Sequence, residues 1–226
     1  MKLGALFSGG KDSCLAVYKA KNFHEIACLI TMIPKSEESY MFHVPNIHVT
    51  FFQAKAMGLP IMIRRTSGEK TLELTDLYRA LKDAIREYGI EGVVTGAIRS
   101  IYQASNIQKI CNKLELWCFN PLWLKDQLKL LYEILDEGFT AIISGVYAYP
   151  LDESFLGKTI DANMIKRLEK LQQAYDLNIA GEGGEIETTV LDAPFFKKRI
   201  EIVDYEIKYR RYSGTFIIKD LRLTDK

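Results

Sequence analysis

Several short runs of this chain are apolar without alternating with polar residues. They are "KLGALF" (2–7), "HEIACLITMI" (24–33), "LPIMIRRT" (59–66) and "GIEGVVTGA" (89–97). A strand with one wet face alternates apolar and polar residues, whereas a strand covered on both faces does not. Between the runs come stretches with helical spacing, such as Leu74, Leu77, Tyr78, Leu81, Ile85 and Tyr88. Buried strands separated by helices predict an α/β fold, a Rossmann-like parallel sheet with helices on both faces. "LELWCFN" (114–120) predicts a fifth strand after one more helix.

The pattern changes near Pro121. "LWLKDQLKLLYEILDEG" (122–138) reads as a helix with Leu124, Leu128, Leu131 and Leu135 on one side, and "FTAIISGV" (139–146) as another buried strand. From about Lys197 the residues alternate, with Ile200 and Ile202, then Tyr205, Ile207 and Tyr209, and a turn expected at Ser213-Gly214. Alternation predicts antiparallel strands exposed on one face. The chain therefore divides into residues 1–122, the parallel domain, and 123–226, a smaller α+β domain contributing to the substrate site.

The net charge is +1, so no whole-molecule field draws the chain to nucleic acid or membrane. No apolar run approaches the ~20 residues of a membrane span. The first residues lack the length and cleavage site of a signal peptide, and the expected location is cytoplasmic. The four cysteines, Cys14, Cys28, Cys111 and Cys118, form no C-x-x-C pair and lie in apolar stretches, as buried thiols do.

The most informative six residues are "SGGKDS" (8–13), at the junction of the first apolar run and the helix expected after it. Helix N-termini carry unpaired N–H groups and partial positive charge, and so hold anions. Gly9 and Gly10 let the backbone wrap closely around phosphate oxygens. Lys11 adds charge, and Ser8 and Ser13 add hydroxyls. Asp12 repels phosphate by itself; it fits if it orients Mg²⁺, which then bridges to phosphates. A Walker A loop fails on spacing, since Gly4 is one residue too far from Lys11 and Asp12 stands where Ser or Thr is required. No G-x-G-x-x-G is present.

The second informative stretch is "GEGGEIETTVLDAPFFKKRIEI" (181–202). Its glycines and Glu182, Glu185 and Glu187 make an acidic turn that suits Mg²⁺, an ammonium group or a quaternary amine. On spacing alone, a solvated loop followed by an edge strand explains it better.

"SGGKDS" matches the S-G-G-x-D-S pyrophosphatase loop of the N-type ATP pyrophosphatases. "EGGE-x-ET-x-VLDAPFF", "LDESFLGKTID" (151–161), "GAIRSIYQ" (96–103) and "NPLW" (120–123) resemble segments of the diphthine–ammonia ligase family, in the family's order. The resemblance implies a PP-loop sheet and an ATP-dependent ligase. The implied reaction adenylates the diphthine carboxylate on translation elongation factor 2. Ammonia then forms the amide, with release of AMP and pyrophosphate. It also implies roles. Ser8, Gly9, Gly10 and Ser13 would cradle pyrophosphate, with Lys11 a further phosphate contact and Asp12 the Mg²⁺ ligand. Gly96 would let substrate approach the backbone. Glu185, Glu187 and Thr188, with Gly183, Gly184, Tyr102 and Gln103, would recognise ammonia or diphthine. Tyr102 or Trp123 could offer an aromatic face to the trimethylammonium. The family commonly has arginines where this chain has Ala104 and Asn106, so Arg99 or Lys109 would have to supply that charge. The chain looks like a minimal, archaeal-like form, and a homo-oligomer is compatible with it.

His48, at the start of the expected helix "HVTFFQAKAMG", is a candidate to face the nucleotide; Pro45 separates it from His43, so the two make no helical zinc pair. "KKR" (197–199) and "KYRR" (208–211) read as charge protecting an edge strand, ahead of a macromolecular contact surface. Two other functions use the same loop: adenylation of a tRNA base, and a nucleotide-binding sensor without turnover. Unpaired cysteines argue against the sulfur-transfer form of the first.

Overall fold

A computed structural model of the protein describes residues 1–34, 46–66 and 70–226. His43 and Pro45 lie outside the described residues.

The first sheet is five-stranded and parallel, in the order β3-β2-β1-β4-β5. Its strands are β1 (Lys2–Leu6), β2 (Glu25–Pro34), β3 (Ile61–Thr66), β4 (Gly92–Val94) and β5 (Trp117–Phe119). The helices between them are α1 (Lys11–Lys21), α2 (Val49–Met57), α3 (Lys70–Tyr88) and α4 (Ile101–Lys113). β2 shows why its sequence does not alternate. Cys28, Ile30 and Met32 pack on one side with Leu77, Leu81 and Ala84 of α3 and Ile107 and Cys111 of α4. Ile26 and Leu29 pack on the other side with Leu15 and Val17 of α1 and Ala54 of α2.

The second sheet is four-stranded and antiparallel, in the order β7-β6-β9-β8. It comprises β6 (Thr140–Val146), β7 (Ile186–Asp192), β8 (Arg199–Arg210) and β9 (Ser213–Thr224), with helices α5 (Gln127–Asp136) and α6 (Ala162–Tyr175). Leu130, Ile134, Ile143, Ile165, Leu168 and Val190 join the core cluster that holds Leu15 and Leu29. A single hydrophobic core therefore runs beneath both sheets on the α1 side.

Two local expectations are corrected, and one irregularity is explained. The helix after Pro121 starts at Gln127, capped by Asp126, whose carboxylate accepts from Lys129 N–H at 3.0 Å. Leu124 precedes it in left-handed backbone, φ 60°, and is exposed. The β8–β9 turn falls at Arg211-Tyr212, with φ 45° and 63°, rather than at Ser213-Gly214. Both residues adopt a conformation usually left to Asn and Gly, which hid the turn. The slip in alternation between Ile202 and Tyr205 is a β-bulge around Asp204.

No helix among the described residues is long and apolar enough to cross a membrane.

Candidate active site

In an open parallel sheet, ligands bind beyond the carboxyl ends of the strands where the strand order reverses. Here that point lies between β1 and β4, because β1 has β2 on one side and β4 on the other. A cleft of about 620 Å³ opens there. From the first sheet it is lined by Ser8, Asp12, Ser13, Thr95, Gly96, Ala97, Ile98, Ser100 and Gln103. From the second come Tyr147 and the 181–184 loop with Glu187.

The loop 8–13 folds on itself. Ser13 Oγ accepts from Ser8 N–H at 3.3 Å and donates to the Gly10 carbonyl at 3.1 Å, and Gly10 N–H points to Ser8 Oγ at 3.4 Å. Gly9 has φ +81°, and a Cβ there would stand 2.3 Å from Gln53 Oε1. At the start of α1 neither Asp12 nor Ser13 is the N-cap. Gly10 is the N-cap and supplies no side chain. Thr188 of β7 does so from the other sheet, accepting Lys11 N–H on Oγ1 at 3.0 Å. Val190 N–H donates to the Gly9 carbonyl at 3.0 Å, and Gln53 Nε2 donates to the carbonyls of Gly9 and Val190 at 2.8 Å each. The phosphate-type loop is thus locked between α2 and β7.

Lys11 is 2% exposed. Its Nζ donates to the Ala180 carbonyl at 2.5 Å and to Asp12 Oδ2 at 2.9 Å. In this arrangement the ammonium ties the loop to the second sheet's 180–184 segment, and it is absent from the cleft lining. Asp12 Oδ1 is buried without a hydrogen-bond partner among the described residues. Burial raises the Asp12 carboxyl above its ordinary value, Lys11 opposes this, and Glu182 adds to it. Burial also pushes Glu187 up to about 7, against Lys11 and with help from Asp12. Two carboxylates with raised proton affinity therefore share one cleft, and an orphaned Asp12 oxygen fits a divalent cation. Among the described residues no group of three His, Cys, Asp or Glu side chains could hold a metal. A cation there would take its remaining ligands from phosphates and water.

Gly96 lines the cleft, but its missing side chain serves another contact. A Cβ would stand 2.8 Å from the backbone of Asp12 and Ser13. The glycine lets β4 approach the first turn of α1. Gln103, Gly183 and Gly184 also line the cleft.

Other expected residues are placed elsewhere. Thr188 is 4% exposed, is outside the lining, and accepts Lys11 N–H on its hydroxyl as the cap of α1. Glu185 is outside the lining; its carboxylate lies over Gly183, whose Cβ would meet Glu185 Oε1 at 2.6 Å. His48 is exposed at the start of α2 and does not line the cleft, because the turn carries Ile47 inward instead. Tyr102 and Trp123 are likewise outside the lining. Asn106 donates back to the Tyr102 carbonyl at 2.9 Å. Cys14, Cys28 and Cys111 are buried, Cys118 is half-buried, and none lines the cleft.

Gln53, Thr95 and Tyr147 belong to no motif that marked them. Gln53, in α2, is fully buried. Glu182 has a larger part than an acidic turn suggests. Its Oε1 accepts from Ile98 N–H at 3.1 Å, from Ser100 N–H at 2.7 Å and from Arg99 N–H.

Residues 1–117 match the family model for the diphthamide synthase N-terminal domain, and residues 126–223 match that for the diphthamide synthase C-terminal domain. A zebrafish (Danio rerio) protein named diphthine–ammonia ligase is 36% identical over 221 residues, 89% of this chain and 86% of its own length. The human (Homo sapiens) protein of that name is 35% identical over 228 residues, 92% of this chain and 85% of its own. The fission yeast (Schizosaccharomyces pombe) one is 36% identical over 224 residues; 92% of this chain is covered, but only 37% of the yeast protein. A solved structure described as a predicted subunit of tRNA methyltransferase from Methanocaldococcus jannaschii has a TM-score of 0.45 and 18% identity, over 86% of this chain and 98% of that one.

Proposed function

The chain belongs to the diphthamide synthase family, and on that footing we propose that it joins ammonia to the carboxylate of diphthine at the expense of ATP. The protein substrate in this reading is translation elongation factor 2 carrying diphthine, and the products are the amide, AMP and pyrophosphate. The observation that carries it is the cleft at the β1–β4 switch point, where the 8–13 loop and the Asp12 and Glu187 carboxylates meet.

A carboxylate does not acylate ammonia because its leaving group would be oxide. Attack of a carboxylate oxygen on the α-phosphorus of ATP forms an acyl-adenylate and expels pyrophosphate. Ammonia then attacks the carbonyl carbon, and AMP leaves with that carboxylate oxygen. In this reading Ser8, Gly9, Gly10 and Ser13 supply the N–H and O–H groups that meet the departing pyrophosphate, where charge develops and preorganised donors stabilise it. Asp12 Oδ1 would hold Mg²⁺, which when bound neutralises phosphate charge. Glu187, with a proton affinity near neutrality, is the group we assign to take the proton from ammonium or from the attacking nitrogen. The cysteines are free thiols, in keeping with a reducing, cytoplasmic setting.

The test is incubation with ATP, Mg²⁺ and ammonium, with and without elongation factor 2 bearing diphthine. Amide formation read by mass spectrometry, matched by AMP and pyrophosphate and lost in Asp12→Ala, supports the reading. AMP formation that ignores elongation factor 2 and follows tRNA contradicts the substrate. ATP binding with no pyrophosphate under any condition contradicts the enzyme.

A further inference from the structure

Glu182 connects the two walls of the cleft. It stands in the 181–184 loop that leads into β7, and its partners stand in the loop after β4. One carboxylate oxygen, Oε1, receives three consecutive backbone N–H groups, those of Ile98, Arg99 and Ser100. Three successive N–H groups converging on one point form an anion nest. Here the nest also opens helix α4, whose positive end adds to the attraction. Ser100 Oγ meanwhile accepts from Gln103 N–H at 3.3 Å, so the side-chain cap and the carboxylate share the work at that helix end.

The same loop is held from its other side. Thr95 Oγ1 meets Asn120 Oδ1 at 2.5 Å and accepts from Ala97 N–H at 3.2 Å, and Leu124 N–H donates to the Ile98 carbonyl at 2.7 Å. The bonds to Asn120 and Leu124 come from the stretch that follows β5, whereas the one from Glu182 comes from the loop that leads into β7. Without Glu182, the three N–H groups would lose their shared acceptor and the wall would be anchored on one side only. Ala97, Ile98, Ser100 and Gln103, which line the cleft, all sit on that wall.

We propose that Glu182 is a positioning residue: its carboxylate latches the 98–100 backbone to the 181–184 loop and fixes the wall against which the acyl substrate is held. Its action goes through the three amides, so an acceptor of the same shape should replace it and a free carboxylate should partly restore it. The phosphate-holding loop 8–13 is locked separately, by Thr188, Val190 and Gln53. ATP binding should therefore be largely independent of the latch.

The experiment compares wild type, Glu182→Ala and Glu182→Gln in three measurements. They are hydrogen exchange at the amides of 98–100, ATP affinity by titration, and amidation turnover with and without added formate. For Glu182→Ala the expected result is fast exchange at those amides, ATP affinity within threefold of wild type, and kcat lower by tenfold or more. Formate should recover at least a fifth of the lost turnover and slow the exchange. Glu182→Gln should keep the protection and stay within fivefold of wild-type kcat.

Protection unchanged in Glu182→Ala, kcat within threefold of wild type, or ATP affinity falling in step with kcat would each overturn the latch. Failure of both formate and Gln to restore turnover would also overturn it, because the charge would then be acting on the ligand itself. If Glu182→Ala does not fold, Glu182→Gln decides by exchange and kcat alone. The turnover arm rests on the amidation reading; exchange and ATP titration do not. A wild type that shows no turnover but does show the predicted exchange pattern tells against that reading and not against the latch.

Discussion

The two walls of the cleft are made in opposite ways. The 8–13 wall is backbone: glycines, turned-in serines and a helix start, written in six contiguous residues. The 181–187 wall is side chain: carboxylates from Glu182 and Glu187 reaching toward groups far away in sequence. The difference teaches that contiguity and independence are separate things. The contiguous loop is the better written, yet Thr188, Val190 and Gln53 hold it from outside. Lys11, outside the cleft lining, grips Ala180 and Asp12.

The comparison predicts graded effects, starting with the chemistry. Asp12→Ala removes the unpartnered carboxylate oxygen and should lower pyrophosphate release at least about 10²-fold, the scale of losing one preorganised charge-stabilising group. Activity within tenfold of wild type would take the site away from this wall.

Gly9→Ala comes next. The left-handed backbone and the clash with Gln53 should cost about 2–4 kcal/mol, read by urea unfolding. Gln53 cannot simply swing aside, because its amide nitrogen holds two carbonyls. A neutral effect would mean the loop is looser than its hydrogen bonds imply.

For Glu187 the sign follows from protonation. Burial lifts its carboxyl from the ordinary 4.5 to about 7, so the native state binds more protons between those limits. Stability without ligand should therefore be greatest below pH ~4.5 as far as this group is concerned, and fall as pH rises toward 7. Glu187→Gln should remove that fall and raise unliganded stability at pH 8 by on the order of 2 kcal/mol, while lowering amidation at that pH. Equal stability of the two proteins at pH 5 and pH 8 would break the assignment.

The smallest effect tests the cap in trans. Thr188→Val keeps the shape and removes the acceptor for Lys11 N–H, at a cost of about 1 kcal/mol, whereas Thr188→Ser should be nearly neutral. Matching losses in Val and Ser would make packing, not capping, the role of that side chain.

What was legible in the sequence follows the same division. Parallel strands follow from runs such as β2, whose two faces feed the packing on both sides of the sheet, whereas the strand order and the cleft it opens are not written in those runs. The bulge at Asp204 is visible as a slip of phase between Ile202 and Tyr205. Helix α6 was not read, although Met164, Ile165 and Leu168 form its buried side. Its start is set by Asp161, which accepts from Met164 N–H at 2.8 Å, a cap that spacing alone does not single out. The Arg211-Tyr212 turn was misplaced because its residues carry no turn signature. At the site, Ser8, Asp12 and Ser13 were legible because one short segment holds their chemistry. Gln53, Thr95 and Tyr147 were not, because their roles exist only once distant strands meet. His48 was singled out by its chemistry, whereas the turn before α2 brings Ile47 to the cleft lining and leaves His48 exposed.

The central claim is that the cleft activates a carboxylate by attack at the α-phosphorus. The direct measurement uses diphthine on elongation factor 2 with ¹⁸O in its carboxylate, ATP and ammonium, followed by mass spectrometry of the nucleotide. AMP carrying one ¹⁸O, in amounts equal to the amide formed, is the result this account predicts. Labelled inorganic phosphate with ADP, or amide accompanied by unlabelled AMP, would contradict it.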